Sequence, residues 1–373
     1  MNIGFDAKRV FQNRSGLGNY SRSTLRLLSR FYPYNNYYLF SGKPDKKIFQ
    51  PSENQFIVKP ENGFSSFFPD YWRSWSLKHQ ANDLKLDIFH GLSNELPISV
   101  NKLNAKSVVT IHDLIFLRFP EYYSAVDRQI YSFKFKIACK AADKIIAISK
   151  ATQDDIVSNF GTDPKKIQVI YQSCDPVFRI PVNSERKSEV RKKYNLPDQY
   201  ILFLGTIEKR KNALSLIKAF LNENIDFPLV IAGKPTAYIS EINDFLKDKP
   251  AGKRIIFRHN IETSDLPSLY QSAMLFVYPS VFEGFGIPIL EALNSGVPVL
   301  TSTGSCFAET GGDAALYCDP YNTEQIGSAL LKLLNNSDLR QSMIEKGFNH
   351  SRQFDEEKVA ANLMNLYSDL VRK

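Results

Sequence analysis

The stretch MLFVYPSVFEGFGIPILEALNSGVPVLTS, residues 274–302, decides the fold class. It begins with an apolar run of strand length and continues through a loop that contains Gly284 and Gly286. A segment of helical periodicity then opens with Ile287 and Pro288, and proline is favoured in the first turn of a helix. A second apolar run, PVLTS, ends the stretch. The order strand, loop, helix, strand predicts two parallel strands joined by a crossover helix.

The same alternation of short apolar runs and helical patterns recurs along most of the chain. Runs rich in Val, Ile, Leu and Phe that alternate with helices predict buried parallel strands in an α/β fold. The predicted strands are NIGFDA (2–7), LDIFHG (86–91), SVVTIH (107–112), KIIAIS (144–149), KIQVIY (166–171), YILFLG (200–205), PLVIAG (228–233), RIIFRH (254–259), MLFVYPS (274–280), PVLTS (298–302) and AALYCD (314–319).

Length and one break in this pattern predict two domains. A chain of 373 residues is too long for one ordinary domain. The series of strands breaks in the polar segment 173–189, which contains two prolines and is typical of a linker. We therefore predict two Rossmann-like, doubly wound domains that face a central crevice, the first formed by residues 1–178 and the second by residues 179–355.

Composition and cysteine usage limit the class of protein. The chain is 43% hydrophobic and 23% charged, as in globular proteins. Its cysteines are scattered without a C-x-x-C pair, which argues against a disulfide framework and a zinc site and fits a reducing compartment. The N-terminal residues lack the apolar core of a signal peptide, and no run approaches the roughly 18 apolar residues of a membrane span. We expect a cytoplasmic protein.

Positive charge is concentrated in the first half of the chain. Residues 1–180 contain 25 Lys and Arg against 16 Asp and Glu, a net charge of +9, and the remainder contains 22 against 23. This excess predicts an acidic partner: a phosphate-bearing substrate, an anionic membrane surface or a nucleic acid. Solvated surface lysines are the alternative. The aromatic segment FSSFFPDYWRSW (64–75) is interpreted as a packed surface loop, and contact with a membrane or a hydrophobic acceptor is its alternative.

The loop after the strand 274–280 is the candidate binding site. Ligands of open α/β sheets bind beyond the carboxyl ends of the strands. Its glycines allow close approach of the backbone, and the N-terminus of the following helix favours polar or anionic groups. Glu283 in the loop and Glu291 in the helix are predicted to contact one extended ligand, the first at a sugar and the second at a ribose. A turn or capping role is the alternative for each glutamate alone.

The full string resembles a known signature. Glu283 and Glu291 match the E-x7-E motif of retaining glycosyltransferases of the GT-B fold, most closely family 4. Further stretches resemble successive blocks of that family in the same order: SGLGNYSRSTLRLL, TIHDLIFLRFP, AISKATQDDIV, VIYQSCDPVF, LGTIEKRKN and GVPVLTSTGS. The resemblance implies an acceptor-binding N-terminal domain, a C-terminal domain that binds a nucleotide sugar, and a tail helix, 356–373, that completes the N-terminal domain.

The resemblance also implies residues for the donor diphosphate. Arg210 and Lys211 follow a strand and are expected to stabilise the charge that develops on the departing diphosphate. Thr206 stands where the family often has an arginine. Gly16 and Gly18 are predicted to form a glycine-rich loop that faces the diphosphate, with a simple strand–helix turn as the alternative.

The remaining donor contacts follow from the same resemblance. His112 ends a strand and is expected to contact the donor sugar, with its carbonyl near the anomeric carbon, and a satisfied core histidine is the alternative. His90 is a weaker candidate of the same kind. The residues assigned to the sugar and ribose are Gly284, Phe285, Gly286, Ile287 and Glu291, with Glu283 catalytic beside His112, and those assigned to the nucleobase are Asn260 and Ile261.

These assignments predict a retaining transfer of a hexose from a nucleotide diphosphate sugar to a hydroxyl of a glycan or lipid-linked acceptor in polysaccharide or O-antigen-type assembly. GDP-mannose is the preferred donor and a UDP-hexose the alternative. Glu283 has no nucleophilic partner, which favours front-face attack. We expect no metal and no prosthetic group, and a peripheral position at the inner face of a membrane.

Three other functions remain as alternatives. They are a GT-B nucleotide-sugar epimerase, a phosphorylase that uses pyridoxal phosphate, and a non-catalytic nucleic-acid-binding protein. The chain shows no zinc, RNA-recognition or helix-turn-helix pattern, so no nucleic-acid partner is expected.

Overall fold

The computed structural model describes residues 1–61 and 67–372. The chain divides into two compact units, Met1–Ser173 with Glu356–Lys373, and Cys174–Asp355. The first unit thus ends at Ser173 rather than at residue 178. Phe178 belongs to the second unit because its ring packs edge-on against Tyr270, with 5.7 Å between ring centroids.

The first unit is built on a seven-stranded sheet in which every pair of neighbours is parallel. The strand order is β3-β2-β1-β4-β5-β6-β7. The strands are β1 (Asn2–Asp6), β2 (Asn36–Phe40), β3 (Gln55–Val58), β4 (Ile88–Gly91), β5 (Lys106–Ile111), β6 (Lys144–Ala147) and β7 (Ile167–Val169). The sequence pattern did not predict β2 and β3, because they are short and their apolar side chains are interrupted by polar or partly exposed ones.

Helices cover this sheet. They are α1 (Lys8–Gln12), α2 (Gly16–Phe31), α3 (Pro69–Tyr71), a π-helix (Trp72–Ser76), α4 (Leu77–Asp83), α5 (Ile115–Arg118), α6 (Ala125–Ala141) and α7 (Lys150–Phe160), with short 3-10 helices at Val100–Lys102, Pro120–Tyr122 and Pro164–Lys166.

The aromatic segment is partly packed and partly exposed. Trp72 lies in a buried cluster with Phe40 and Phe89, and its indole N–H donates to Gln80 Oε1 at 2.7 Å. Trp75 is 48% exposed. The packed-loop interpretation therefore holds for Trp72, in helical rather than loop structure. Residues 64–66 of the segment lie outside the described residues.

The second unit is built on a six-stranded parallel sheet of order β10-β9-β8-β11-β12-β13. The strands are β8 (Tyr200–Leu204), β9 (Leu229–Ala232), β10 (Ile255–Arg258), β11 (Ala273–Tyr278), β12 (Val299–Ser302) and β13 (Ala315–Cys318). The two sheets confirm the predicted α/β class.

The helices of the second unit alternate with its strands. They are α8 (Ser184–Lys193), α9 (Ala213–Asn222), α10 (Ile239–Leu246), α11 (Leu266–Gln271), α12 (Ile287–Asn294), α13 (Phe307–Gly311), α14 (Thr323–Leu334) and α15 (Ser337–Ser351). Short 3-10 helices lie at Pro176–Arg179, Lys209–Lys211, Pro250–Arg254, Thr263–Asp265, Gly312–Ala314 and Arg352–Phe354.

The linker predicted at 173–189 is wrong for residues 184–189, which form the start of α8. The Asn183 side chain caps this helix by accepting from the Arg186 N–H at 2.8 Å. The helix is held to the segment before α11 by the buried Asp265, which accepts from Lys193 Nζ at 2.9 Å and also pairs with Arg186. A polar sequence therefore forms a helix here because its charges meet a buried partner.

The C-terminal helix α16 (Glu356–Val371) belongs to the first unit. Arg30 Nη1 pairs with Glu356 Oε2 at 3.0 Å near its start. Near its end, the Tyr367 hydroxyl lies 2.6 Å from His90 Nδ1. The apolar face of the helix completes the core of that unit.

The strand order of each sheet places a switch point beside its first strand. In the first unit the sheet grows away from β1 in both directions, and in the second it grows away from β8. Ligands of such sheets bind where the loops after the two central strands diverge. In the second unit these are the loops 205–212, after β8, and 279–286, after β11.

Candidate functional site

The two loops at the switch point of the second unit are tied together by backbone contacts. Asn212 has a left-handed φ of 61°, and its side-chain amide donates to the Pro279 carbonyl at 3.1 Å and to the Pro320 carbonyl at 2.7 Å. The Val281 N–H donates to the Arg210 carbonyl at 2.9 Å. These bonds hold the basic turn 209–211 against the loop that contains Glu283.

The glycine-containing loop is fixed at both ends. Gly286 precedes α12 with a φ of 95°, a conformation that glycine adopts without strain. Phe285 is 2% exposed and packs edge-on against Phe354, with centroids 5.5 Å apart. Its ring therefore anchors the loop in the core, and its carbonyl accepts a hydrogen bond from the Thr310 hydroxyl. The Ser305 hydroxyl donates to the Glu283 carbonyl at 2.8 Å.

Glu283 is the centre of a buried cluster of charges. Lys211 Nζ lies 2.6 Å from its Oε1, and Arg210 Nη1 lies 2.8 Å from its Oε2. The Tyr278 hydroxyl, at the end of β11, donates to Oε1 at 3.0 Å and also accepts a hydrogen bond from Lys211. Arg210 is held further by Glu208 Oε1 at 2.6 Å. The structure thus brings Arg210 and Lys211, assigned to the diphosphate, together with Glu283, assigned a catalytic role.

The charges of this cluster are shifted by burial and by one another. Burial alone raises the pKa of Glu283, but Lys211 and Arg210 outweigh burial and lower this pKa to about 2. Burial lowers the pKa of Lys211, and the Glu283 carboxylate opposes that effect. Glu283 is therefore ionised at every working pH and does not act as a general acid or base near neutrality.

Glu291 lies in a different environment, on the fifth residue of α12. The Tyr270 hydroxyl donates to its Oε2 at 2.8 Å. Burial raises the pKa of Glu291 to about 7, which the Tyr270 hydrogen bond opposes and the Asp175 carboxylate supports. The two glutamates have separate partners, so they are available to different parts of a ligand. Glu291 is the one whose charge changes near neutral pH.

His112 lies in the first unit, directly after β5. Its Nε2 is 2.9 Å from the Leu92 carbonyl, which only accepts, so Nε2 bears the proton and Nδ1 is an acceptor. Burial lowers the pKa of His112 to about 4, against the effect of the Leu92 hydrogen bond, so the ring is neutral. Its carbonyl accepts from the Thr152 hydroxyl at 3.1 Å, and the Tyr20 ring packs edge-on at 4.6 Å.

His90 is a core residue rather than a site residue. It is fully buried, its Nδ1 lies 2.6 Å from the Tyr367 hydroxyl, and its Nε2 lies 2.8 Å from Thr110 Oγ1. Burial lowers its pKa to about 3. Both ring nitrogens are occupied by protein groups, which excludes the weaker of the two predicted histidine contacts.

Gly16 and Gly18 lie in the first turn of α2 rather than in a loop before it. The short helix α1, which the sequence pattern did not predict, separates these glycines from β1. A Cβ on Gly18 would lie 2.0 Å from the Asn13 carbonyl, whereas Gly16 has no atom within 4 Å of such a position. Gly18 is therefore required for close packing of the turn, and Gly16 leaves open space at the N-terminus of the helix.

Asn260 and Ile261 follow β10 at its carboxyl end. Asn260 is exposed and has a left-handed φ of 56°. The edge of the sheet that holds the charged cluster also holds these two residues, two strands away from β8. Their placement is compatible with the predicted nucleobase role.

Contacts of three residues at the site were not anticipated from the sequence. Tyr278 contacts both Lys211 and Glu283, and Tyr270 contacts Glu291. Glu208 pairs with Nη2 of Arg210, whereas Glu283 pairs with Nη1. Each tyrosine lies in a largely buried stretch, where an aromatic residue is ordinarily part of the core. The hydroxyl groups of the two tyrosines form hydrogen bonds with the charged side chains of the site.

Within residues 1–61 and 67–372, no group of three or more His, Cys, Asp or Glu side chains is placed to hold a metal ion. Over the same residues, none of the helices combines the length and the apolar character that crossing a membrane requires. The four cysteines are buried and unpaired with one another.

Comparisons with known proteins identify the family of the chain. A model described as "Glycosyl transferases group 1" matches residues 185–350, and one described as "Glycosyltransferase Family 4" matches residues 18–178. O-antigen chain mannosyltransferase B of Escherichia coli is 28% identical over 98% of this chain and 99% of its own length.

Solved structures share the fold. A glycosyltransferase from Rickettsia africae superposes with a TM-score of 0.80 at 17% identity, over 100% of this chain and 99% of its own. The Anabaena protein HepE, solved with UDP-glucose, superposes with a TM-score of 0.77 at 15% identity, over 99% of this chain and 100% of its own.

Two parallel-sheet units, in a fold shared with these structures, define the GT-B class of glycosyltransferases. The chain belongs to glycosyltransferase family 4. Its two matched regions correspond to the two units and together include both glutamates of the E-x7-E signature.

Proposed function

We propose that the chain transfers a hexose, mannose from GDP-mannose in the first instance, to a hydroxyl of a glycan or lipid-linked acceptor in O-antigen-type assembly, with retention of anomeric configuration. The observation behind it is the buried cluster of Lys211, Arg210 and Glu283 at the switch point of the second unit. The mannosyl donor is inferred from the E. coli O-antigen mannosyltransferase, which is similar over nearly the whole chain.

The two cations are the groups that promote departure of the nucleotide. As the bond between the anomeric carbon and the phosphate oxygen breaks, negative charge develops on the diphosphate. Lys211 and Arg210 are already oriented by Glu283, Glu208 and Tyr278, so no large reorganisation is needed when that charge appears. This arrangement supports a reaction that requires neither metal nor prosthetic group.

Glu283 acts as an orienting and sugar-binding group in this proposal. Its pKa of about 2 keeps the carboxylate charged and paired with two cations, which also makes it a poor nucleophile. The acceptor hydroxyl would then attack on the face from which the diphosphate leaves. Its proton passes to the departing phosphate oxygen, and the products are the glycosylated acceptor and the nucleoside diphosphate.

Donor binding requires an exchange of partners at Lys211. The ammonium group now donates to Glu283 and Tyr278, and a diphosphate oxygen would share it with them. Glu291, in its ionised form, would accept hydrogen bonds from the ribose, and Asn260 with Ile261 would contact the base. The neutral His112 would contact the donor sugar from the first unit. We propose that the first unit binds the acceptor at the inner face of a membrane.

A transfer assay with labelled donors tests this function. GDP-mannose, UDP-glucose and UDP-galactose are each supplied with membranes that contain undecaprenyl-linked saccharide acceptors, in EDTA, and the product anomer is assigned by NMR. Transfer of mannose from GDP-mannose with retention of anomeric configuration supports the proposal. Loss of this product in Lys211→Ala shows that the reaction uses the cluster. Transfer only from a UDP-sugar would replace the donor, and no transfer from any donor would overturn the function.

A further inference from the structure

Helix α6 (Ala125–Ala141) has apolar side chains on two opposite faces. Its inner face packs into the core of the first unit through Phe135, Ala138 and Cys139. The opposite face is also apolar. Val126, Ile130, Phe133 and Ile137 are 65%, 45%, 66% and 36% exposed.

These four residues form one stripe, which we call the outer stripe. Their spacing of four, three and four positions returns to the same side of a helix, roughly 180° from Phe135. The inner face alone supplies the contacts that fold the helix onto the sheet. The outer stripe adds only exposed apolar area, which in a soluble unit is typical of an interaction surface.

Basic residues flank the outer stripe. Lys136 and Lys140 lie on one side of it and Lys134 on the other, and each is exposed. The helix contains a single acidic residue, Asp127, which is occupied at the N-terminus by Ser124: the Ser124 hydroxyl donates to its Oδ2 at 2.7 Å. An apolar stripe bordered by lysines is the pattern of helices that lie in the interface of an anionic membrane.

The segment that contains Arg73 and Trp75 adds further basic and exposed aromatic side chains beside α6. Glu95 accepts from Arg73 Nη2 at 3.0 Å and from Lys134 Nζ at 3.3 Å, so the segment that contains Arg73 lies beside α6. Trp75, two residues further, is 48% exposed. Half-exposed tryptophan beside basic residues is common where proteins meet the headgroup region of a bilayer.

Charge decides between possible occupants of the stripe. Residues 1–180 have a net charge of +9. A second copy docked through the same stripe would bring lysines against lysines, whereas an anionic bilayer is complementary to them. We propose that the outer stripe and its flanking lysines dock the protein on an anionic phospholipid bilayer. The inference deepens the proposed function, since it names the surface that brings the enzyme to a lipid-linked acceptor.

Vesicle flotation of the full chain tests this proposal without donor or acceptor. The vesicles contain equal parts of phosphatidylcholine and phosphatidylglycerol, or phosphatidylcholine alone. The variants are the double substitution Ile130→Gln with Phe133→Gln and the double substitution Lys136→Gln with Lys140→Gln. Tyr34→Gln is the matched control, because Tyr34 is an equally large, 98% exposed residue of the same unit outside the stripe.

The wild type is expected to float with anionic vesicles and not with neutral ones. Loss of the two apolar groups should weaken partitioning at least tenfold, and each lysine removed should weaken it about fivefold, increasingly masked by added salt. Tyr34→Gln should bind as the wild type does. Each variant is also examined by circular dichroism and by GDP titration. Results equal to those of the wild type show that the fold and the donor site are intact.

Three results would overturn the docking surface. They are failure of the wild type to float with anionic vesicles, equal binding by the Ile130→Gln with Phe133→Gln variant, and a lipid-independent dimer that this variant abolishes. A protein that binds vesicles but transfers no sugar would retain the docking surface and lose the proposed function, so the two claims fail separately.

Discussion

Replacing Glu283 with glutamine removes the negative charge that two buried cations share. Lys211 and Arg210 lie 2.6 and 2.8 Å from its carboxylate oxygens, and the Tyr278 hydroxyl lies 3.0 Å away. Glutamine has nearly the same shape and keeps one carbonyl acceptor. The substitution therefore tests the charge of Glu283 rather than its volume.

The magnitude follows from the shift in the pKa of Glu283. Burial alone raises this pKa, and the two cations lower it from 4.5 to about 2, which corresponds to about 3 kcal/mol in favour of the charged form. Since glutamine retains one hydrogen bond, we expect a loss of about 2 to 3 kcal/mol from the free energy of unfolding of the second unit. The lowered pKa means that this stability is present above about pH 4.5 and lost as the pH falls through about 2.

Hydrogen exchange followed by mass spectrometry measures this loss in the correct unit. Both tryptophans of the chain, Trp72 and Trp75, are in the first unit, so their fluorescence reports unfolding of that unit alone. In Glu283→Gln, peptides that span 200–212 and 274–291 should exchange roughly thirtyfold faster or more, and the tryptophan transition in urea should not move.

Glu208→Gln is the matched control. The Glu208 side chain also pairs with Arg210 but is 35% exposed, so its loss should cost below about 1 kcal/mol. Equal exchange in wild type and Glu283→Gln would refute the view that Glu283 stabilises the buried cations. An effect of Glu208→Gln as large as that of Glu283→Gln would show that Arg210 alone, not the shared cluster, determines stability.

Three further predictions address the glutamate of the helix, the loop and the core. Burial raises the pKa of Glu291 to about 7, and ribose binding favours the charged form of this side chain. Nucleotide affinity should therefore fall about tenfold per pH unit below pH 7 and level off above it. Calorimetric titration of Glu291→Gln should show an affinity that does not depend on pH. Gly286→Ala should destabilise the second unit by about 1 to 2 kcal/mol in urea because of its φ of 95°, whereas Gly16→Ala, which meets open space, should change stability by less than about 0.5 kcal/mol. His90→Leu should lower the stability of the first unit, followed by tryptophan fluorescence, by about 2 kcal/mol, because it leaves the Tyr367 hydroxyl without its partner. The same substitution should leave nucleotide affinity unchanged. A loss of affinity would show that His90 belongs to the binding site.

The strands that were predictable are those whose side chains are almost all buried. The strands β8, β9 and β11 are continuous apolar runs because both faces of a doubly wound sheet are covered. The strand β2 is only partly buried and was missed, and α8 was missed because its stability depends on Asp265, far away in sequence. Local pattern predicts an element well where local burial decides it, and poorly where a distant partner does.

The site shows the same division. The positions of Glu283, Gly286 and Glu291 follow from a strand, a loop and a helix that are contiguous in sequence. The contacts of Tyr278 and Tyr270 depend on the tertiary fold and had no sequence signal. His90 and His112 both lie near the end of a strand, so their sequence positions do not distinguish them. The packing of α16 over His90 identifies His90 as a core residue and leaves His112 as the candidate site residue.

We propose above that the charged cluster at the switch point of the second unit binds the nucleoside diphosphate of a sugar donor without metal. Calorimetric titration of GDP and of UDP in EDTA, into the wild type and into Glu291→Gln at about pH 8, tests it most directly. We expect GDP to bind with a dissociation constant on the order of micromolar and Glu291→Gln to weaken this binding at least tenfold. Binding of neither nucleotide, or equal affinity of the two proteins for GDP, would contradict it.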